Sequence, residues 1–250
     1  MPHNSDNSCT LYLVRHGDSR QDANRRYIGQ CDPPLNPQGR AQAKSLQQML
    51  AHTDLKSVYC SDLRRCRETA RIVGGHRGLR IRPVPALREI ALGDWDGLTV
   101  AEVCHRFPGE YEKRGKDMVN YRPPSGESFA DLQARVVPAF LEVIREARGP
   151  VLLVGHAGVN RVILCHVMRR ALEELFEIPQ NYARLNIIER RDDTLNVKAM
   201  DIAPRSTAWE ALEISPVRSA QTSPFAAEQV RKYGTGQSTV KPLSKPAVSS

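Results

Sequence analysis

A chain of 250 residues, 40% of them hydrophobic and 26% charged, can bury the core of one large domain with or without an appendage. No stretch approaches the ~20 consecutive apolar residues of a membrane span. The mean hydropathy of −0.46 leans polar, and a net charge of +8 with a pI near 9.4 calls for an anionic partner. No basic stripe is interleaved with aromatics, so a small anionic molecule is expected as the partner, with no nucleic acid and no membrane.

Residues 1–9 read as a disordered leader without a charged start or an apolar run, so the cytoplasm is the expected compartment. The six cysteines, Cys9, Cys31, Cys60, Cys66, Cys104 and Cys165, form no C-x-x-C pair and no cluster with histidine. Reduced structural thiols are expected, with no metal and no cofactor.

The first apolar run, at about 10–14, reads as a buried strand that ends abruptly in Arg15-His16-Gly17. The polar stretch from Arg15 to Pro37 reads as a long functional loop, closed by Asn36 as the cap of a helix with Pro37 in its first position. Ala41, Leu46, Met49 and Leu50 form the apolar face expected for that helix. Ser57–Cys60 is the next strand, and Ser61-Asp62 is expected to cap a helix reaching about Val73, stopped by Gly74-Gly75. A third strand near 79–84 leads to Glu89 and the loop Gly93–Gly97, and residues 98–127 pattern weakly, as one helix and irregular chain.

Ser128, with Asp131 as its capping-box partner, opens a long helix whose apolar face is Phe129, Leu132, Val136, Val137, Phe140, Leu141 and Ile144, with Pro138 expected to bend it. A second apolar run, Val151–Val154, ends in Gly155-His156-Ala157-Gly158 before a helix to about Met168, followed by strands near 184–189 and 195–200. Strands alternating with helices predict an α/β fold, a three-layer α/β/α sandwich with a mostly parallel central sheet. From about residue 204 the chain turns to Ser, Thr, Pro, Ala and Gln without periodicity and reads as a largely disordered tail, on which Trp209, Leu212 and Ile214 are the candidates to dock. The organisation read is therefore a leader, 1–9, a domain, 10–203, and a tail, 204–250.

In parallel sheets ligands bind beyond the carboxyl ends of the strands, so His16 and His156, each just past such a strand, are a candidate catalytic pair. A neutral imidazole can take up a phosphoryl group through a ring nitrogen, and arginine suits the phosphoryl oxygens because its planar fork stays charged and binds bidentately. Arg15 adjoins His16, and Arg64 and Arg65 open the helix after the second strand. A leaving alkoxide needs a proton, and Glu89, just beyond the third strand, is the best-placed acid.

Taken in order, Leu13-Val14-Arg15-His16-Gly17-Asp18-Ser19, Pro34-Leu35-Asn36 with Gly39 and Gln42-Ala43, Ser61-Asp62-Leu63 with Arg65 and Thr69-Ala70, Leu87 and Glu89 with Gly93, Trp95 and Gly97, Gly126-Glu127-Ser128, and Val154-Gly155-His156-Ala157-Gly158-Val159 resemble successive motifs of the histidine phosphatase superfamily, in its phosphoglycerate-mutase-like branch. The resemblance implies that His16 is the nucleophile, that Arg15, Arg65 and His156 bind the phosphoryl group, that Glu89 is the proton donor, and that no metal is used. Register in the third motif selects Arg65 over Arg64. Asp22, Arg25 and Gly29 on the long loop are candidates for substrate contact. Asp22 stands where many relatives have Asn, an acid beside a phosphate unless Arg25 or Arg26 neutralises it. Cys66 stands where relatives have a small Ala, which reads as packing.

The function expected is a phosphomonoester hydrolase acting through phosphohistidine on a small phosphorylated metabolite, with α-ribazole phosphate or a sugar phosphate as candidates from the resemblance. A phosphoglycerate mutase and a catalytically idle phospho-ligand or protein-binding module stand as alternatives. The resemblance implies a longer insertion between the acid and the second histidine in mutases, so the short connection from Glu89 to His156 favours hydrolysis, and the intact His16, Arg15, Arg65, Glu89 and His156 argue against an idle module. A homodimer is compatible with the sequence.

Overall fold

A computed structural model describes residues 8–204, so the expected leader up to residue 7 and the expected tail from residue 205, with Trp209, Leu212 and Ile214, lie outside the described residues. The first strand, β1 (Cys9–Arg15), starts within the stretch read as leader. After it come α1 (Pro37–Met49), β2 (Ser57–Cys60), α2 (Arg64–Gly74), β3 (Ile81–Pro83), α3 (Val100–Arg106), α4 (Glu110–Lys116), α5 (Phe129–Glu146), β4 (Val151–Gly155), α6 (Ala157–Met168), β5 (Leu185–Arg191) and β6 (Thr194–Ile202). The six strands form one sheet in the order β3-β2-β4-β1-β5-β6. The first four are parallel, and β5 and β6 add an antiparallel edge beside β1.

The central strands of the sheet are buried on both faces. Leu11, Leu13, Val151 and Leu153 point to the layer made by α5 and α6, whereas Val14, Val58, Leu152 and Val154 point to α1 and α2. This explains why β1 and β4 read as continuous apolar runs rather than alternating ones: each side of the strand needs an apolar partner. The three-layer α/β/α sandwich expected from the sequence is the fold observed.

Several local expectations are corrected. On α1 the buried stripe is Gly39, Ala43, Leu46 and Met49, while Ala41 lies exposed half a turn away. On α5 Val143 is buried and Leu141 is 40% exposed, because the sheet covers only one side of the helix. Ser61 and Asp62 do not cap α2: Asp62 pairs with Arg88 at 2.6 Å, and the first amide of the helix, Arg64 N, donates instead to Asp32 Oδ1 of the long loop at 2.6 Å. As expected, α2 ends at Gly74-Gly75, with Gly75 as its C-cap, and a short 3-10 turn, Gly75–Arg77, follows. The weakly patterned stretch contains two short helices, α3 and α4, the first opened by a capping box between Thr99 and Glu102.

The N-terminus of α1 is pressed against the chain leaving β1. Asn36 accepts from Gly39 N at 2.7 Å as the N-cap, and Gln42 Oε1 accepts from Asp18 N at 2.9 Å. A Cβ at Gly39 would lie 2.0 Å from Asp18 O, and one at Gly17 would lie 2.4 Å from Gly39 O. The spacing of Asn36, Gly39 and Gln42 is thus one device: a cap, a gap for a crossing backbone, and an amide that holds that backbone. Among the described residues no helix is long and apolar enough to cross a membrane.

Because the atom met at Gly39 is backbone and has no room to move, Gly39→Ala is expected to destabilise the fold by about 3 kcal/mol or more. Urea unfolding of the two proteins measures it, and a loss comparable to that of Ala41→Ser on the exposed face would show that the crossing is not tight.

Candidate active site

The parallel register pairs Arg15 with Gly155, so the residues that follow, His16 and His156, leave the sheet side by side. His16 N donates to Gly155 O at 3.1 Å, which extends the ladder one step past the strand. The two imidazole rings lie 5.1 Å apart at 65°, both buried.

The ring of His16 is oriented by its own turn. Nδ1 lies 2.7 Å from Gly17 O, and because a carbonyl only accepts, Nδ1 carries the proton and Nε2 is left with its lone pair. Gly17 N in turn donates to Thr69 Oγ1 at 3.1 Å, and that hydroxyl donates to Arg65 O at 2.8 Å, joining the His16 turn to α2. Burial, followed by Arg65 and Arg15, holds the His16 ring well below the usual histidine range, so it is neutral.

His156 is the N-cap of α6. Arg65 Nε lies 3.3 Å from its Nδ1 and donates to it, which leaves the proton on Nε2. Burial first, then Arg65, His16 and Arg15, keep this ring neutral as well. Cys66 Sγ packs against the same ring, 3.3 Å from Nε2 and 3.8 Å from Nδ1, and also lies 3.3 Å from Gly155 O. Cys66 is therefore in direct contact with the site and not merely filler, and burial pushes its thiol well above the usual range, so it stays protonated.

Both arginines donate to carbonyls: Arg65 is buried, and Arg15 is half-buried with its Nε unpartnered among the described residues. Arg65 Nη2 donates to Gly29 O at 2.7 Å and Nη1 to Cys31 O at 2.5 Å. Arg15 Nη1 donates to Gln180 O at 2.6 Å, and its guanidinium lies 3.8 Å from the centre of the Tyr182 ring. Behind it the amides of Asn160 and Gln180 are 3.0 Å apart, and Gln180 Nε2 donates to Asn186 at 3.0 Å, a buried polar chain that fixes the Gln180 carbonyl.

Glu89 is partly exposed. Its Oε1 accepts from Ile90 N at 3.0 Å and its Oε2 from Gly158 N at 3.1 Å, so the first turn of α6 carries the acid beside His156. Its backbone is clamped by a pair that sequence reasoning missed. Arg135 of α5 donates to the carbonyls of Ala86, Arg88 and Glu89 at 2.8 to 3.0 Å and forms a two-point ion pair with Glu127, which accepts from Ala91 N at 2.9 Å. Glu127 stood in a quoted motif, and Arg135 eight residues on was the available signal. Gln180 and Tyr182 had none, because they lie in the segment before β5 and reach the site only through the pairing of β5 with β1.

The structure therefore brings together Arg15, His16, Arg65, Glu89 and His156. Gly29 is buried and contributes its carbonyl to Arg65. Asp22 is 46% exposed on its side chain and is engaged by Asn24 N at 2.9 Å and Arg26 Nε at 3.2 Å, so Arg26 is the neutralising partner; Arg25 is exposed on the same loop. Arg64, 61% exposed on its side chain, pairs with Glu68 and leaves the site to Arg65.

Comparison with known proteins gives a consistent result. The model of the histidine phosphatase superfamily (branch 1) matches residues 11–203. Human 6-phosphofructo-2-kinase/fructose-2,6-bisphosphatase 4 is 34% identical over 168 residues, covering 66% of this chain but 34% of that protein, so the chain spans about a third of the length of this relative. The adenosylcobalamin/alpha-ribazole phosphatase of Salmonella typhimurium is 28% identical over 195 residues, 72% of this chain and 96% of that protein. Among solved structures, Bacillus stearothermophilus YhfR superposes with a TM-score of 0.72 at 34% identity, over 78% of this chain and 98% of that one.

The two neutral histidines make stability depend on pH. Unfolded histidines take up protons near pH ~6.5, whereas the folded rings do not, so stability is present above that value and falls as pH drops through it, by up to about 1.4 kcal/mol per pH unit for each ring. Urea unfolding between about pH 7 and pH 5 measures the slope. His156→Asn is expected to reduce it, and an unchanged slope would mean that the ring titrates normally.

Proposed function

The chain belongs to the histidine phosphatase superfamily, and from that membership and the geometry of the site we propose that it is a phosphomonoester hydrolase working through a phosphohistidine on small phosphorylated metabolites. The observation that carries this reading is the neutral His16 ring, its Nδ1 proton committed to Gly17 O and its Nε2 left with a lone pair, held beside Arg15 and Arg65, which donate to carbonyls and form no ion pair among the described residues.

His16 Nε2 attacks phosphorus and the ester P–O bond breaks on the opposite side. Arg15, Arg65 and the Nε2 proton of His156 hold the equatorial oxygens as charge builds on them. Glu89 gives its proton to the leaving oxygen. Water then attacks the phosphohistidine, Glu89 takes the water's proton, and phosphate leaves with His16 restored. Its partial exposure gives Glu89 the access to water that the second half-reaction needs. The alcohol is a small metabolite, and the Salmonella relative's name makes α-ribazole phosphate the first ester to try, with sugar phosphates beside it.

Phosphate release from p-nitrophenyl phosphate, α-ribazole phosphate and sugar phosphates, measured in EDTA, tests the reading. His16→Ala is expected to lose at least about 10³-fold in turnover. Glu89→Gln is expected to lose about 10²-fold or more on an alkyl phosphate and much less on p-nitrophenyl phosphate, whose phenolate leaves without a proton. A folded wild type that hydrolyses none of these esters, or a His16→Ala protein that retains turnover, would sink it.

A further inference from the structure

One half-buried carboxylate in the neighbourhood of the site has no part in the chemistry above. Asp96 lies in the turn that follows Glu89, next to Trp95, which is fully buried. That turn is laced to the long loop: Tyr27 N donates to Leu98 O at 2.8 Å and Gly97 N to Tyr27 O at 2.6 Å, while the rings of Tyr27 and Trp95 lie 5.6 Å apart. The lacing lays residues 29–31 as a strap between Asp96 and Arg65.

The strap's polar groups face two ways. Its outer carbonyls, Gly29 O and Cys31 O, turn to the two terminal nitrogens of Arg65. The amide between them, Gln30 N, turns to Asp96 Oδ2 at 3.2 Å. The side chain of Gln30 donates to Glu89 O at 3.1 Å, so the strap also touches the acid's backbone. Gly29 has a φ of +44°, and a Cβ there would lie 1.9 Å from Asp96 Oδ1, so the carboxylate is packed flat against the strap. Oδ1 itself is buried and accepts no hydrogen bond among the described residues. Leaving a buried carboxylate oxygen unsatisfied is costly, and such local costs concentrate where a functional geometry depends on them.

We propose that Asp96 is a positioning residue for Arg65: its carboxylate anchors the Gly29–Cys31 strap, and the strap's two carbonyls hold the guanidinium fork in the orientation that receives a phosphoryl group. Arg65 without the strap keeps its charge and its position on α2 but loses two of the three contacts that fix its plane. Bidentate recognition depends on that plane, so the loss falls on phosphate affinity more than on the chemical step. The charged and titratable groups that face Asp96 are Arg65 from α2, Glu89 from the segment after β3, and the Cys31 thiol on the strap. Burial pushes the Asp96 carboxyl up to about 6, with the backbone amides of Gln30 and Leu92 and then Arg65 opposing the shift and Glu89 adding to it.

The inference rests on the phosphatase reading only for the role of Arg65, and binding of inorganic phosphate tests it apart from turnover. Isothermal calorimetry with inorganic phosphate, and KM and kcat on p-nitrophenyl phosphate, would be measured on the full chain for wild type, Asp96→Ala, Asp96→Asn, Arg65→Ala and the Asp96→Ala/Arg65→Ala double variant. Asp96→Ala is expected to weaken phosphate and raise KM by about 10-fold with a smaller change in kcat, and Asp96→Asn, which keeps an oxygen for Gln30 N, to recover most of the loss. In the Arg65→Ala background Asp96→Ala should cost nothing further, whereas a merely structural role would add its full effect. Wild-type phosphate affinity in Asp96→Ala, or additivity in the double variant, would overturn the proposal. Should Asp96→Ala fail to fold, Gly29→Ala displaces the carboxylate from the strap instead, and wild-type affinity there would overturn it equally. A wild type that binds phosphate yet hydrolyses no ester would sink the phosphatase reading and leave this test standing; one that binds no phosphate would sink both.

Discussion

Parallel pairing of β1 with β4 is the constraint from which the site follows. The two strands are far apart in the chain, and their register places Arg15 opposite Gly155. Each strand is buried on both faces, so a slip by one residue would exchange its two apolar layers and lift one histidine away from the other. The crossovers through α1 and α2 then bring Arg65 in from the α1/α2 layer, while α5 and α6 bring in the clamp on Glu89 and the amide that receives its carboxylate. One pairing decision inside the sheet thus fixes a catalytic geometry just beyond its edge.

The second organising feature is how the two cations are partnered. Arg15 and Arg65 both lie in a low-dielectric setting, where a cation must find partners. Carboxylate partners would cancel the charge a phosphoryl group needs. Carbonyls do not: Gln180 O, Gly29 O and Cys31 O supply hydrogen bonds without a negative charge, so the positive potential survives. The same field, together with burial, keeps both imidazoles neutral, which makes His16 a nucleophile and His156 a donor through Nε2. Glu89, beside His156, is held by the backbone amides of Ile90 and Gly158 and forms no ion pair among the described residues.

Much of this was legible in the residues, and the failures have particular causes. His16, Arg15, His156, Arg65 and Glu89 stand at abrupt ends of apolar runs or in the first turn of a helix, where local pattern and site position coincide. Capping boxes and caps at Asn36 and Ser128 read correctly because their chemistry lies within four residues. The cap of α2 did not, because its acceptor, Asp32, comes from the long loop across space, while Asp62, the local candidate, is taken by Arg88. Ala41 and Leu141 belong to the apolar faces expected from helical spacing, and only the position of the neighbouring layer shows that they face outward.

The sequence by itself determined the α/β alternation, the both-sided burial of the central strands, the loop-borne catalytic residues and the family, since each is written in periodicity or in a run of a few neighbouring residues. Tertiary structure alone decided which groups fix those residues in place: Gln180 and Tyr182 on Arg15, the Gly29–Cys31 strap on Arg65, Arg135 and Glu127 on Glu89, Cys66 on His156. The reason is physical. A local pattern reports what a residue prefers within one helix turn or strand repeat, whereas holding a buried charge in one orientation takes acceptors from several elements, and their meeting depends on sheet register and crossover geometry.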